Sequence, residues 1–151
     1  MKKNTQAGFT LLEVLIALLV LAVGLLGMAS LTVHSMQTNQ SAYLRSQASV
    51  LAYDIADRMR ANHEGAVNTS TYTATSANAP SCSGGCSPAE QAQADVAEWR
   101  AALQSTMPGA TATITRSTAD GVIYSYQITI NWTDSGASDI SNSSFTLRVD
   151  I

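Results

Sequence analysis

From Val14 to Leu44 no side chain carries a formal charge, and between Phe9 and Val33 the only polar interruptions are Thr10, Glu13, Ser30 and Thr32. A helix of about 25 such residues rises ~37 Å, more than the ~30 Å hydrocarbon core of a bilayer. The segment is therefore long enough to span. Lys2 and Lys3 stand before it, and the next basic residue is Arg45, a bias that orients the N-terminus to the cytoplasm and the bulk of the chain outside. Glu13 is the anomaly. An ionised carboxylate in a spanning helix costs several kcal/mol on insertion scales and by default marks a functional partner. Near the end of the run it can instead reach the headgroup layer, and hydropathy alone leaves both readings open.

A removable secretory signal is the competing reading of such a start, but its apolar core is shorter and ends at a small-x-small cleavage site. Here the run is long, and "MASLTV" offers only weak candidates. With 151 residues, 13% of them charged, the chain suits one compact domain with an appended segment rather than two cores. After Met28 six arginines face ten acidic residues, so the extramembrane part is acidic and lacks the basic footprint of a nucleic-acid binder.

The cysteines are Cys82 and Cys86, with only His34 and His63 as further soft ligands, both distant in sequence. That set does not make a four-ligand metal site. A Cys82–Cys86 disulfide is the better reading for a domain in an oxidising compartment, and closing so small a loop contributes roughly 2 kcal/mol in the chain-entropy model.

The residues "KKNTQAGFTLLEVLIALLVLAVGLLG" combine a short basic leader, Gly8, Phe9, Glu13 as the fifth residue after that glycine, and an apolar helix. This resembles the class III signal of type IV prepilins and the related pseudopilins. The resemblance implies cleavage between Gly8 and Phe9 by a prepilin peptidase and N-methylation of the new Phe9 amine. It also implies that Glu13 meets the charged Phe9 amine of a neighbouring subunit as a filament grows, a pairing that fits the high cost of an uncompensated buried charge.

Three further blocks, "LAYDIADRMRANHEG" (Leu51 to Gly65), "CSPAEQAQADVAEWRAALQSTMPG" (Cys86 to Gly109) and "ITINW" (Ile128 to Trp132), resemble the minor pilins of the pilus-modification kind. The implied organisation is a cytoplasmic leader over 1–8, a transmembrane and filament-core helix over 9–33, and a periplasmic pilin domain over 34–151 that includes the C-terminal half of the long helix. The implied function is priming of pilus assembly or formation of the tip. Implied partners are other minor and major pilins, prepilin peptidase, the inner-membrane assembly machinery and membrane lipid, with no nucleic acid and no cofactor. After assembly the protein would sit in the pilus at the cell surface. A type II secretion pseudopilin is the structural alternative, and a pilus-tip adhesin or receptor module is the alternative from another class.

Beyond the apolar run, Leu44, Ala48, Leu51, Ile55 and Met59 recur at helical spacing, with Asp54 and Arg58 placed for an i,i+4 pair. The spacing predicts one helix from about Phe9 to Asn62, ~80 Å long at 1.5 Å per residue. It contains no proline, the first being Pro80, and Gly24 and Gly27 offer flexibility or close packing instead. "NHEG" reads as its stop, with Gly65 left-handed and His63 near the helix end. Val67 to Ser87 shows no period and reads as a loop.

Ser87-Pro88-Ala89-Glu90 has the pattern of a capping box with proline at the first helical position. It opens a second, short helix whose Ala92, Val96, Trp99 and Leu103 share a stripe. Trp99 reads as the anchor of that helix on the core. Alternation then predicts three antiparallel strands: Ala110 to Thr118, Val122 to Trp132 after a turn at Ala119-Asp120-Gly121, and a last strand with Phe145, Leu147, Val149 and Ile151 on one side. A sheet with its apolar face covered by the long helix makes an α+β, type IV pilin-like fold.

Catalysis needs a nucleophile with a base, a metal cluster or a phosphate loop. Ser83-Gly84-Gly85 lacks the lysine and spacing of a phosphate loop, and the carboxylates are scattered. The sequence reads as a non-enzyme.

Overall fold

The structure, a computed structural model, describes residues 8–74, 78, 80–81, 84–119, 123–134 and 141–151. Its elements are α1 (Leu11–Ala61), α2 (His63–Asn68), a 3-10 turn (Thr71–Thr73), α3 (Pro88–Thr106), β1 (Thr111–Ala119), β2 (Ile123–Asp134) and β3 (Ser141–Asp150). The expected α+β architecture is present: one long helix, a shorter helix and a three-stranded antiparallel sheet in the order β1-β2-β3.

α1 runs unbroken for 51 residues because leucine and alanine, both strong helix formers, are its commonest residues and no proline interrupts it. It breaks at Asn62, whose φ of −111° and ψ of 56° are not helical. There the Asn62 N–H donates back to Arg58 O at 3.0 Å, while its side-chain Oδ1 accepts from the Gly65 N–H at 3.2 Å and so caps α2.

Two expectations are corrected at this corner. Gly65 is not the left-handed stop: it lies buried inside α2, and the positive-φ glycines among the described residues are Gly85 and Gly109. Its lack of a side chain serves close approach, since a Cβ there would sit 2.5 Å from Pro88 O and closer still to Asn62 Nδ2. His63, in turn, opens α2 rather than closing α1. The segment from Val67 onward is also more ordered than a loop, because α2 reaches Asn68 and the turn at Thr71–Thr73 buries Tyr72 completely.

The core lies between one face of the sheet and the C-terminal third of α1 with α3. α1 contributes Ala48, Leu51, Ala52, Ile55, Ala56 and Met59, α3 contributes Ala92, Val96, Trp99 and Leu103, and β2 contributes Tyr126, Ile128, Ile130 and Trp132. The alanines let the helices approach closely, and the larger residues fill the space between layers. Trp99 is fully buried, and its Nε1 donates to Leu51 O at 2.8 Å, so it anchors α3 on α1 as the stripe implies. The capping box at Ser87 and Glu90 is complete, and its hydrogen bonds lower the Glu90 pKa.

The strands pair in unbroken register, from Thr111↔Asn131 to Ala119↔Ile123 and from Ser125↔Asp150 to Asp134↔Ser141. The residues from Asp134 to Ser143 read by sequence as a loop between the last two strands, but β2 runs on to Asp134 and β3 already begins at Ser141. Asp120, Gly121 and Val122, placed by sequence in the first turn and the start of the second strand, lie outside the described residues.

Candidate assembly site

At its N-terminal end the chain enters α1 through exposed Gly8, Phe9 and Thr10. Thr10 is the N-cap: its Oγ1 accepts from the Glu13 N–H at 3.3 Å. Thr10-x-x-Glu13 has the spacing of a capping box, in which the glutamate reaches back to the N-cap amide. Here only the threonine half is made, and the Glu13 carboxylate has no hydrogen-bond or ion-pair partner among the described residues. It lies in the first turn, where the partial positive charge of the helix N-terminus favours an anion.

Around this carboxylate every large apolar side chain of α1 as far as Met36 is uncovered, with Phe9 84% and Leu11 86% exposed. A helix apolar on all sides is stable only inside lipid or among other helices, and α1 is long and apolar enough to cross a membrane. Gly24 and Gly27 face open space on it. His34 lies exposed just past the apolar run.

Cys86 is half-buried beside the α3 N-cap, whereas Cys82 lies outside the described residues, as do Lys2 and Lys3. The described residues contain no cluster of His, Cys, Asp and Glu able to hold a metal.

A second constellation escaped the sequence reading. Asp95 on α3 is buried, and its carboxylate accepts from Tyr72 Oη at 2.6 Å and from Gln91 Nε2 at 3.0 Å. Arg58 on α1 approaches it at 3.7 Å while holding Asp54 at 3.2 Å and Glu98 at 3.0 Å. The expected Asp54–Arg58 pair thus exists, but as one arm of a cluster joining α1 to α3.

Asn62 Nδ2 reaches Tyr72 Oη at 3.3 Å and Pro88 O at 2.8 Å, closing the corner. The Glu98 hydrogen bond is the main cause that raises the Arg58 pKa. Burial first, and the Asp95 hydrogen bond second, push the Tyr72 hydroxyl well above its ordinary range. A signal for Asp95 was available, because it falls on the same helical stripe as Ala92 and Trp99.

The cluster is structural in character: it pins α2 and the following turn between the helices. On the other side of α2, Arg116 of β1 donates to Ala66 O at 3.1 Å and to Thr69 O, satisfying carbonyls at the helix end, and stacks 4.4 Å over the Tyr124 ring. At the start of the domain Ser41 Oγ donates to buried Asp134 Oδ2 at 2.5 Å, tying α1 to the end of β2.

Two family models match the chain in succession. The prokaryotic N-terminal methylation motif covers residues 3–29. The chain thus carries the methylation motif of type IV pilins, set at the head of a long apolar helix and a pilin-like fold. Directly after it, residues 30–97 match the model of the type IV pilin Tt1218. No curated protein and no solved structure matches the chain. The two matches support a pilin role, that of a structural, non-enzymatic subunit, and the motif implies processing by prepilin peptidase and assembly with other pilins.

Proposed function

We propose that this chain is a minor pilin of the type IV pilus, resembling the pilus modification protein PilV, that primes assembly or forms the tip together with other minor pilins. Residues 1–8 are a cytoplasmic leader removed between Gly8 and Phe9, after which the Phe9 amine is methylated. Residues 9–33 anchor the protein in the inner membrane and then enter the filament core, and residues 34–151 form the periplasmic domain, with Cys82 and Cys86 joined as a disulfide.

The observation that carries this reading is the Glu13 carboxylate, unpaired among the described residues at the head of a helix whose large apolar side chains are uncovered as far as Met36. Such a charge is tolerated in an apolar surrounding when a cation meets it, and the Phe9 amine of another subunit is the cation that processing creates. Mass spectrometry of sheared pili tests the proposal: it should recover this protein with a methylated Phe9 at its N-terminus. Recovery with a secretion apparatus and not with pili would make it a pseudopilin instead, and cleavage elsewhere would overturn the assignment of Gly8 and Phe9.

A further inference from the structure

β3 is an edge strand, and among the described residues it pairs along β2 alone. The Ile151 N–H donates to Tyr124 O at 3.0 Å, which fixes the phase of the ladder: pairs two apart from Tyr124 and Ile151 exchange hydrogen bonds across β2, and the pairs between them do not. The backbone N–H and C=O groups of Asn142, Ser144, Thr146, Arg148 and Asp150 therefore point away from β2 into the open edge.

Natural edge strands are blunted by bulges, prolines, brevity or projecting charges. β3 has none of these defences: it is ten residues long, in continuous register, and free of proline and lysine. Its two charged side chains turn back over their own sheet, Arg148 Nε to Gln127 Oε1 at 3.1 Å and Asp150 Oδ1 accepting from Ser125 Oγ at 2.5 Å. On the opposite face Phe145, Leu147 and Ile151 pack against the core yet stay only partly buried.

We propose that this edge takes a fourth β-strand from a neighbouring pilin subunit, a proposal that rests on the pilin reading above. The edge dictates the chemistry of that segment. It is extended, with free main-chain donors and acceptors to meet the five outward residues. Its side chains are apolar at alternate positions, completing the cover over Phe145, Leu147 and Ile151, and small or polar at the others, beside Ser144 and Thr146.

Hydrogen exchange of wild-type protein separates the possibilities. In the isolated full chain in detergent, the amides of Asn142, Ser144, Thr146 and Arg148 should exchange freely while those of Phe145, Leu147 and Val149 are protected. In sheared pili the first set should slow by on the order of 100-fold. As a second arm, Thr146→Pro removes an outward N–H, a change edge strands tolerate, together with the exposed Thr146 hydroxyl 3.2 Å from Thr129 Oγ1; Thr146→Val, which loses the hydroxyl and keeps the N–H, is the control and should enter pili normally. The proline variant should keep its fold by near-ultraviolet circular dichroism and lose at least about tenfold in incorporation into pili, as expected when added-strand hydrogen bonds supply the affinity. Wild-type protein present in pili with these amides still exchanging freely, or protection already complete in the isolated chain, would overturn the edge proposal alone. Absence of the wild-type protein from pili would overturn it together with the pilin reading.

Discussion

Tyr72 and Asp95, 23 positions apart, share a 2.6 Å hydrogen bond in the interior of the domain. Tyr72 sits on a single 3-10 turn and Asp95 on α3, so this bond holds an otherwise short connection against the helices. In Tyr72→Phe the buried carboxylate keeps Gln91 and Arg58 but loses its closest donor. Leaving a buried acceptor short in this way costs about 1–3 kcal/mol, to be read as a fall in the midpoint of thermal unfolding followed by near-ultraviolet circular dichroism.

Alkaline pH should weaken the same region. Burial raises the pKa of both Tyr72 and Tyr126 above the ordinary tyrosine value of 10.0. Each contribution is therefore fully present below that value and is lost as pH rises through the folded pKa, because the unfolded chain ionises first. Denaturant midpoints measured at pH 8 and again above pH ~10 should show a decline, and Tyr72→Phe should flatten it.

Two glycines of α1 and α2 should respond oppositely to alanine. Gly65→Ala places a Cβ 2.5 Å from Pro88 O, a backbone atom that cannot simply swing aside, and should destabilise the domain by about 1–3 kcal/mol through overpacking. Gly24→Ala meets nothing within 4 Å and lies outside the domain core. It should leave domain stability unchanged, so any phenotype it shows must be read in membrane or filament packing.

The two tryptophans make a matched comparison. Trp99 Nε1 is hydrogen-bonded to Leu51 O, whereas Trp132 Nε1 is buried with no partner among the described residues. Replacement by phenylalanine removes a made bond in the first case and an unsatisfied donor in the second. Trp99→Phe should thus cost more than Trp132→Phe, by about 1 kcal/mol, in parallel denaturant titrations.

Glu13→Ala should leave both the domain and membrane insertion intact, since the carboxylate has no partner among the described residues and its removal makes the helix more apolar. Fractionation should find the variant in the membrane and sheared pili should lack it. Normal incorporation would show that Glu13 merely reaches the headgroups.

Much of this fold can be read from periodicity. The helical stripe from Leu44 to Met59 and the alternation from Tyr124 to Trp132 each bury one face, and burial is what writes a period into a sequence; the exposed capping box at Ser87 is legible instead because its partners are three residues apart. The region from Asn62 to Tyr72 is not legible in that way. Its order comes from single polar contacts, the local one of Asn62 with Gly65 and the distant ones of Tyr72 with Asp95 and Arg116 with Thr69, and single contacts leave no repeat. "NHEG" misleads for the same reason: glycine near a helix end signals a left-handed turn, but here the space beside Pro88 decides. Phe9 and Glu13 show a different limit. Both are exposed and outside the domain, so only the motif, and no pattern within the domain, marks them.

The grip of the domain on α1 begins at Ser41, bonded to Asp134, leaving the stretch back to Glu13 as a cantilever of roughly 42 Å at 1.5 Å per residue. At the end of such an arm a tilt of about 5° at the root moves the tip by about 4 Å, more than a hydrogen bond tolerates. The domain thus cannot aim Glu13. An arm held only at its root trades accuracy at its tip for a freedom of direction that no contact within the domain restrains.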